Sequence, residues 1–285
     1  MARDPETGQL GVAVQSHYFS VGPIVPWAEA GVGAVATQSF ADAGYGPRGL
    51  ARMRAGQPAP QVLEALLAAD PQCERRQVAM VDARGRVGVH TGSLCIAEAG
   101  AVAGDGFSVQ ANMMRRASVW PAMANAFRAA QGELALRLLA ALDAAEAEGG
   151  DIRGRQSAAI LVVGPEPSDE PWNARAYELR VEDHPEPLVE LRRLVEMRRL
   201  YAALNRPGLD WVAARKVLAT ASALAPENGE PRFWTAIAAA NLGEIARARE
   251  LLDGIPCADD RWRELARRLV PLGMLSAQAA GALGL

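Results

Sequence analysis

Two hydrophobic rhythms divide this chain. Up to about residue 165 the apolar positions come in short Val-, Ala- and Gly-rich runs, at residues 10–16, 31–38, 77–82, 86–90, 101–103 and 157–163, which read as strands. Turn signals stand at Asp82 to Gly85 and at Gly104 to Gly106. Between the runs, residues 45–55 and 59–69 carry helical apolar spacing, and residues 117–148 read as one long Ala/Leu-rich helix. Strands interrupted by helices in this order predict antiparallel sheets covered by helices, an α+β fold, rather than successive βαβ units.

Residues 164–171, with three prolines, form a loop; residues 175–181 supply a further strand that the Pro-rich run at 183–187 stops. A domain boundary is expected at 187, giving domains 1–187 and 188–285. The second is almost wholly helical, from a Leu/Arg-rich helix at 188–204 to a closing helix at 261–269. Shifting it by 34 residues superposes Trp211 on Ile245, Ala214 on Ala248, Leu218 on Leu252 and Pro226 on Asp260. That period and those small and large apolar positions resemble tetratricopeptide helix pairs, of which about two fit.

The N-terminus starts abruptly. Asp4 to Gly8 forms a turn and residues 10–14 a strand, so only Met1 to Arg3 remain as the first arm of the hairpin.

The chain has 285 residues, half of them apolar, which suffices for a large core. A net charge of −3 gives no basic footprint for nucleic acid or an anionic membrane. No apolar run approaches the roughly 20 residues of a spanning helix, and no basic-then-apolar leader is present, so a cytoplasmic protein is expected. Cys73, Cys95 and Cys257 are widely spaced and read as free thiols.

No Gly-x-Gly-x-x-Gly follows a strand, no His-Glu-x-x-His or Cys-x-x-Cys occurs, and His17, His90 and His184 are scattered. Neither a metal nor another cofactor is expected. A Gly-x-Ser-x-Gly elbow is also missing. The remaining candidates are polar residues at strand ends beside glycines: Thr37 and Gln38 ahead of Asp42 to Pro47, then Gln110 to Asn112, then Gly149 to Ser157. Simpler roles exist for each: Thr37 and Gln38 satisfy a strand end, Asn112 caps a helix, and Asp151 pairs with Arg153 on the surface. The third segment packs two arginines, an aspartate, a glutamine and a serine into seven residues, a donor array suited to an anionic or amide-bearing ligand.

The residues Ala2 to Gly8, Gly11 to Val14, Val21-Gly22, Val25-Pro26, Gly31 to Gln38, Tyr45 to Leu50 and Gly149 to Ser157 together resemble the domain-of-unknown-function family 1028. That family looks like a branch of the N-terminal-nucleophile (Ntn) hydrolases. The resemblance implies a four-layer αββα sandwich over residues 2 to about 200. It also implies hydrolysis of a small-molecule amide by an N-terminal Thr, Ser or Cys, whose α-amine, with an ordinary pKa of about 8, serves as base. Members carry a pattern like Thr-Phe-Ser-Ile-Val before Ala-Arg-Asp-Pro, with Met1 at the place of the final Val, so the native protein is expected to start upstream, with the nucleophile about five residues before Met1.

By the same resemblance Asn112, preceded by Ala111 where the family has Gly, is a catalytic oxyanion donor. Thr37 is a second catalytic candidate, and Gln38, Tyr45, Asp151, Arg153 and Gln156 bind substrate, with Ser16 as a lesser candidate. The expected partners are a small amide substrate, a protein docked by the helical tail and a second copy of the chain, and neither nucleic acid nor membrane. The competing expectation is a non-catalytic binding or scaffold protein built on the same sandwich and tail.

Overall fold

The computed structural model describes residues 1–204, 211–255 and 260–285. It divides into two compact units, Met1–Val195 and Glu196–Leu285, with the division inside a helix, α5, that spans Pro187–Leu204.

In the first unit every strand pairing is antiparallel. The strands are β1 (Ala2–Arg3), β2 (Leu10–Ser16), β3 (Pro26–Glu29), β4 (Gly33–Ser39), β5 (Arg76–Asp82), β6 (Val87–Thr91), β7 (Gly100–Gly104), β8 (Phe107–Ala111), β9 (Ser157–Val163) and β10 (Arg175–Val181). They form a six-stranded sheet in the order β10-β9-β2-β1-β8-β7 and a four-stranded sheet in the order β3-β4-β5-β6. Leu10, Val12, Ala34, Ala36, Ala79 and Val81 meet in a core between the sheets. The other face of the large sheet is covered by α3 (Val119–Ala129) and α4 (Leu134–Ala147), through Phe127, Leu134 and Leu138. The other face of the small sheet is covered by α1 (Tyr45–Arg54) and α2 (Ala59–Ala68), through Tyr45, Val62 and Leu63. The layers therefore run helix, sheet, sheet, helix.

Local chemistry accounts for the turns that fix this arrangement. At the first hairpin Asp4 is buried, and its carboxylate accepts the backbone N–H groups of Glu6 at 2.9 Å and Thr7 at 3.0 Å. Gly8 closes the turn at φ +72°, a left-handed conformation that glycine adopts without a Cβ clash. The stretch 117–148 differs from expectation: it is two helices, because Gly132 takes φ +89° and breaks the helical path. Strands β3 and β8 are additional to those expected.

The second unit contains α6 (Trp211–Leu224), α7 (Gly229–Asn241), α8 (Ile245–Asp253), α9 (Arg261–Leu269) and α10 (Ala277–Leu283). The repeat-equivalent pairs Ala214/Ala248 and Leu218/Leu252 are all buried, so the period of 34 marks equivalent packing positions. Beyond the expected closing helix, α10 adds Ala279, Ala280 and Leu283 to the same core. Cys73 and Cys95 are free thiols, whereas Cys257 lies outside the described residues. Among the described residues no helix is long and apolar enough to cross a membrane.

Candidate functional site

The site lies ahead of β1, between β2 and β8. Ala2 faces Gly11 and Arg3 faces Leu10 on β2, while Ala2 faces Phe107 on β8. Met1 extends the ladder by one pair: its N–H donates to the Ser108 carbonyl at 2.9 Å, and the Ser108 N–H donates back at 3.0 Å. Beyond that point β2 runs on to Ser16 and β8 to Ala111 with no strand between them. A cavity of about 300 Å³ occupies the gap.

The cavity has two unlike sides. Towards α3 and α4 its wall is apolar, made by Met123, Phe127, Leu138, Ala141 and Leu142. Towards the inter-sheet space it is mixed, with Val14, Val21, Ile24 and Val25 beside the polar Ser16, Gln38, Ser39, Gln110 and Asn112, and with Asp151 and Arg153 at the far end. Two of the three non-glycine residues at positive φ among the described residues, Ser39 (67°) and Met113 (59°), also line it. Such backbone conformations are held only where their surroundings enforce them.

Four of the expected site residues converge here: Gln38, Asn112, Asp151 and Arg153, joined by Ser16. Asp151 is buried and receives Arg153 Nε at 3.0 Å, Arg153 Nη2 at 2.7 Å, the Arg153 backbone N–H at 2.9 Å and the His17 backbone N–H at 3.3 Å. Burial by itself would push the Asp151 carboxyl up, but the hydrogen bonds and charge of Arg153 hold it below the ordinary carboxylate value. Arg153 Nη2 also reaches Ser16 Oγ at 3.5 Å. The guanidinium and carboxylate thus neutralise each other while leaving a polar face.

Asn112 does not cap a helix; its Nδ2 donates to Gln77 Oε1 at 3.0 Å. Ala111, in place of the family's Gly, sits in regular strand conformation, and the positive φ falls two residues later, at Met113. Thr37, Tyr45 and Gln156 do not line the cavity. Thr37 is buried with its hydroxyl donating to the Asp42 carbonyl at 3.1 Å. Tyr45 is buried against α1 and α2 and donates to Asp70 at 3.0 Å; burial and that carboxylate push its phenol well above the ordinary value. Gln156 Nε2 donates to Asp183 at 3.2 Å.

Sequence reasoning missed Gln77 and Ser108, both fully buried. Ser108 carried a signal, a polar residue inside an otherwise apolar strand, which is costly unless satisfied, whereas Gln77 opens its strand and carried none. The Met1 α-amino group is wholly buried too, and burial lowers its pKa from 8.0 to about 5. Among the described residues no cluster of three or more His, Cys, Asp or Glu could hold a metal.

Comparison with known proteins places this site in a family. No curated protein matches the chain. The crystal structure of protein SPO2555 from Silicibacter pomeroyi, itself assigned to DUF1028, is similar with a TM-score of 0.61 at 30% identity, covering 74% of this chain and 91% of that one. The tetratricopeptide repeat family matches residues 210–270. The family of unknown function DUF1028 matches residues 1–191, the whole of the sheet-and-helix unit that holds the cavity, and the chain belongs to that family.

Proposed function

We propose that the cavity is the active site of an amidohydrolase of the Ntn type, whose nucleophile is carried by a strand that continues β1 ahead of Met1. The observation that carries this reading is the register. Met1 stands opposite Ser108 and, by continuation of the β1–β2 pairing, opposite Val12. Each step back from Met1 moves one residue forward along β2 and β8, so the fourth residue before Met1 falls between Ser16 and Asn112.

Side-chain alternation supports the same strand. Met1 belongs to the inter-sheet core and Ala2 to the helix-side core. The first and third residues before Met1 would then face Met123, Phe127 and Leu138, and the second and fourth the mixed side. The pattern Thr-Phe-Ser-Ile in front of Met1 puts Ile and Phe on the apolar side and Ser and Thr on the mixed one. An amide link at Met1 also removes a penalty: a shift of about three pKa units corresponds to about 4 kcal/mol against a charged amine there.

In this reading the Thr hydroxyl attacks the substrate carbonyl, its proton passing to the threonine's own α-amine, and Asn112 stabilises the oxyanion. The tetrahedral intermediate collapses as the C–N bond breaks and the leaving amine takes that proton. Water then hydrolyses the ester. The substrate is a small amide without net charge, since Arg153 already has its counter-charge in Asp151. Action in the cytoplasm is part of the proposal and is checked by cell fractionation. The decisive experiment compares the present chain with one extended upstream to the Thr against a panel of small amides. Turnover confined to the extended form is expected, and equal turnover by both would end the reading. The tetratricopeptide match favours a second reading, in which the protein recruits a partner and binds a ligand without turnover; saturable ligand binding with no product in either form would select it.

A further inference from the structure

The buried amide of Gln77 has a role that its position in β5 does not by itself require. Three acceptors share the two N–H groups of its Nε2: the Ala111 carbonyl at 2.9 Å, Thr91 Oγ1 at 3.0 Å and the Gly100 carbonyl at 3.2 Å. Two of these are main-chain carbonyls, which only accept, so the Gln77 amide cannot turn round without setting oxygen against oxygen. Its Oε1 is thereby fixed on the other side, where it accepts from Gln38 Nε2 at 2.8 Å and from Asn112 Nδ2 at 3.0 Å. The sense of those two amides is fixed in turn: each must present nitrogen, not oxygen, to Gln77. Gln77 is fully buried, and it joins β4 and β5 of the small sheet to β7 and β8 of the large one.

We infer that Gln77 is the positioning residue of the site, a buried relay that fixes Gln38 and Asn112 as N–H donors on the cavity wall and makes that wall a receptor for a carbonyl or carboxylate oxygen. The orientation runs from the Gly100 and Ala111 carbonyls through the Gln77 amide to the two side chains that border the cavity. Each carboxamide nitrogen has two N–H groups. Among the described residues the Asn112 side chain spends one on Gln77 and makes no other hydrogen bond, while the one further side-chain hydrogen bond of Gln38 is a long one of 3.5 Å to the Gln110 carbonyl. The inference rests on reading the cavity as a site for an amide carbonyl, and its test separates the two.

The test is side-chain amide NMR on the full ¹⁵N-labelled chain. In the unaltered protein the Asn112 carboxamide proton bonded to Gln77 should exchange with water about tenfold more slowly than those of exposed Asn125, whose side chain makes no hydrogen bond among the described residues, one hydrogen bond's worth. In Gln77→Met, which keeps the length of the side chain, that protection should vanish and the Gln38 and Asn112 signals should move together. Asn112 exchanging as fast as Asn125 in the unaltered chain, or unaffected in Gln77→Met, overturns the inference; the first measurement stands even where the variant fails to fold. Acetamide is the ligand probe. It should shift the Asn112 signal in the unaltered chain and bind about tenfold more weakly to Gln77→Met. Loss of Asn112 protection in the variant with no acetamide response in the parent upholds the relay and removes the carbonyl-site reading.

Discussion

At the scale of single residues the site is built from amides and one internal ion pair, and its polar groups answer mainly to one another. Asp151→Asn takes the counter-charge from Arg153 and should destabilise the first unit by about 1–3 kcal/mol in urea unfolding, with Arg153 freed to attract anions. The pH dependence has a definite sign. A carboxyl held below its ordinary value contributes stability above about pH 4, and that contribution is lost as pH falls through the lowered value. The variant should therefore show a flatter acid limb than its parent. Asn112, Asp151 and Arg153 were legible in sequence as polar residues beside glycines at strand ends. Thr37 and Tyr45 carried the same signal without reaching the cavity. Strand parity explains the first: Gln38 shares a face with Ala36 towards the inter-sheet space, and Thr37 shares the opposite face with Val35 under α1. Gln77 was invisible because a glutamine opening an apolar strand looks the same whether it ends the strand in water or ties two sheets together.

Among the elements, strands bounded by clear turn signals were the most readable. The bounds of β2, β9 and β10 follow directly from their apolar runs and flanking turns. Strand β8 escaped because its period-2 pattern, Phe107, Val109 and Ala111 alternating with Ser108 and Gln110, is only five residues long and follows a turn closely. Helices α3 and α4 merged because alanine is the commonest residue of both, leaving Gly132 as the lone sign of the break. Close packing between elements gives a sharper test than their bounds. A Cβ on Gly46 of α1 would lie 2.2 Å from the Trp27 ring of β3, far inside contact distance. Gly46→Ala should lower stability by about 1–3 kcal/mol in urea unfolding, despite alanine's better helix propensity. A neutral or stabilising result would show that Trp27 is free to move aside.

For the whole molecule, each of the two units has its own buried core, and family matches fall on them separately. The order strand–helix–strand indicated the first unit, and the period of 34 indicated the second. No sequence pattern announced the cavity itself, but the short first arm of the hairpin, Met1 to Arg3, was legible. Its titration is measurable: the Met1 amine binds a proton near pH 8 when unfolded but only at about 5 when folded. The unfolded state therefore holds more protons between those values, and stability should rise by about 3 kcal/mol from pH 5 to pH 8. N-terminal acetylation should abolish that slope, as urea midpoints at the two pH values would show.

The buried start of β1 also decides how this protein can be handled at the bench. On the register that carries the proposed strand, a purification handle fused ahead of Met1 continues β1 along the gap between β2 and β8 and enters the cavity. Two preparations that differ only in which end carries the handle are therefore different ligand receptors. The C-terminally tagged one keeps its cavity open for a screen, whereas the N-terminally tagged one arrives with a peptide already threaded there.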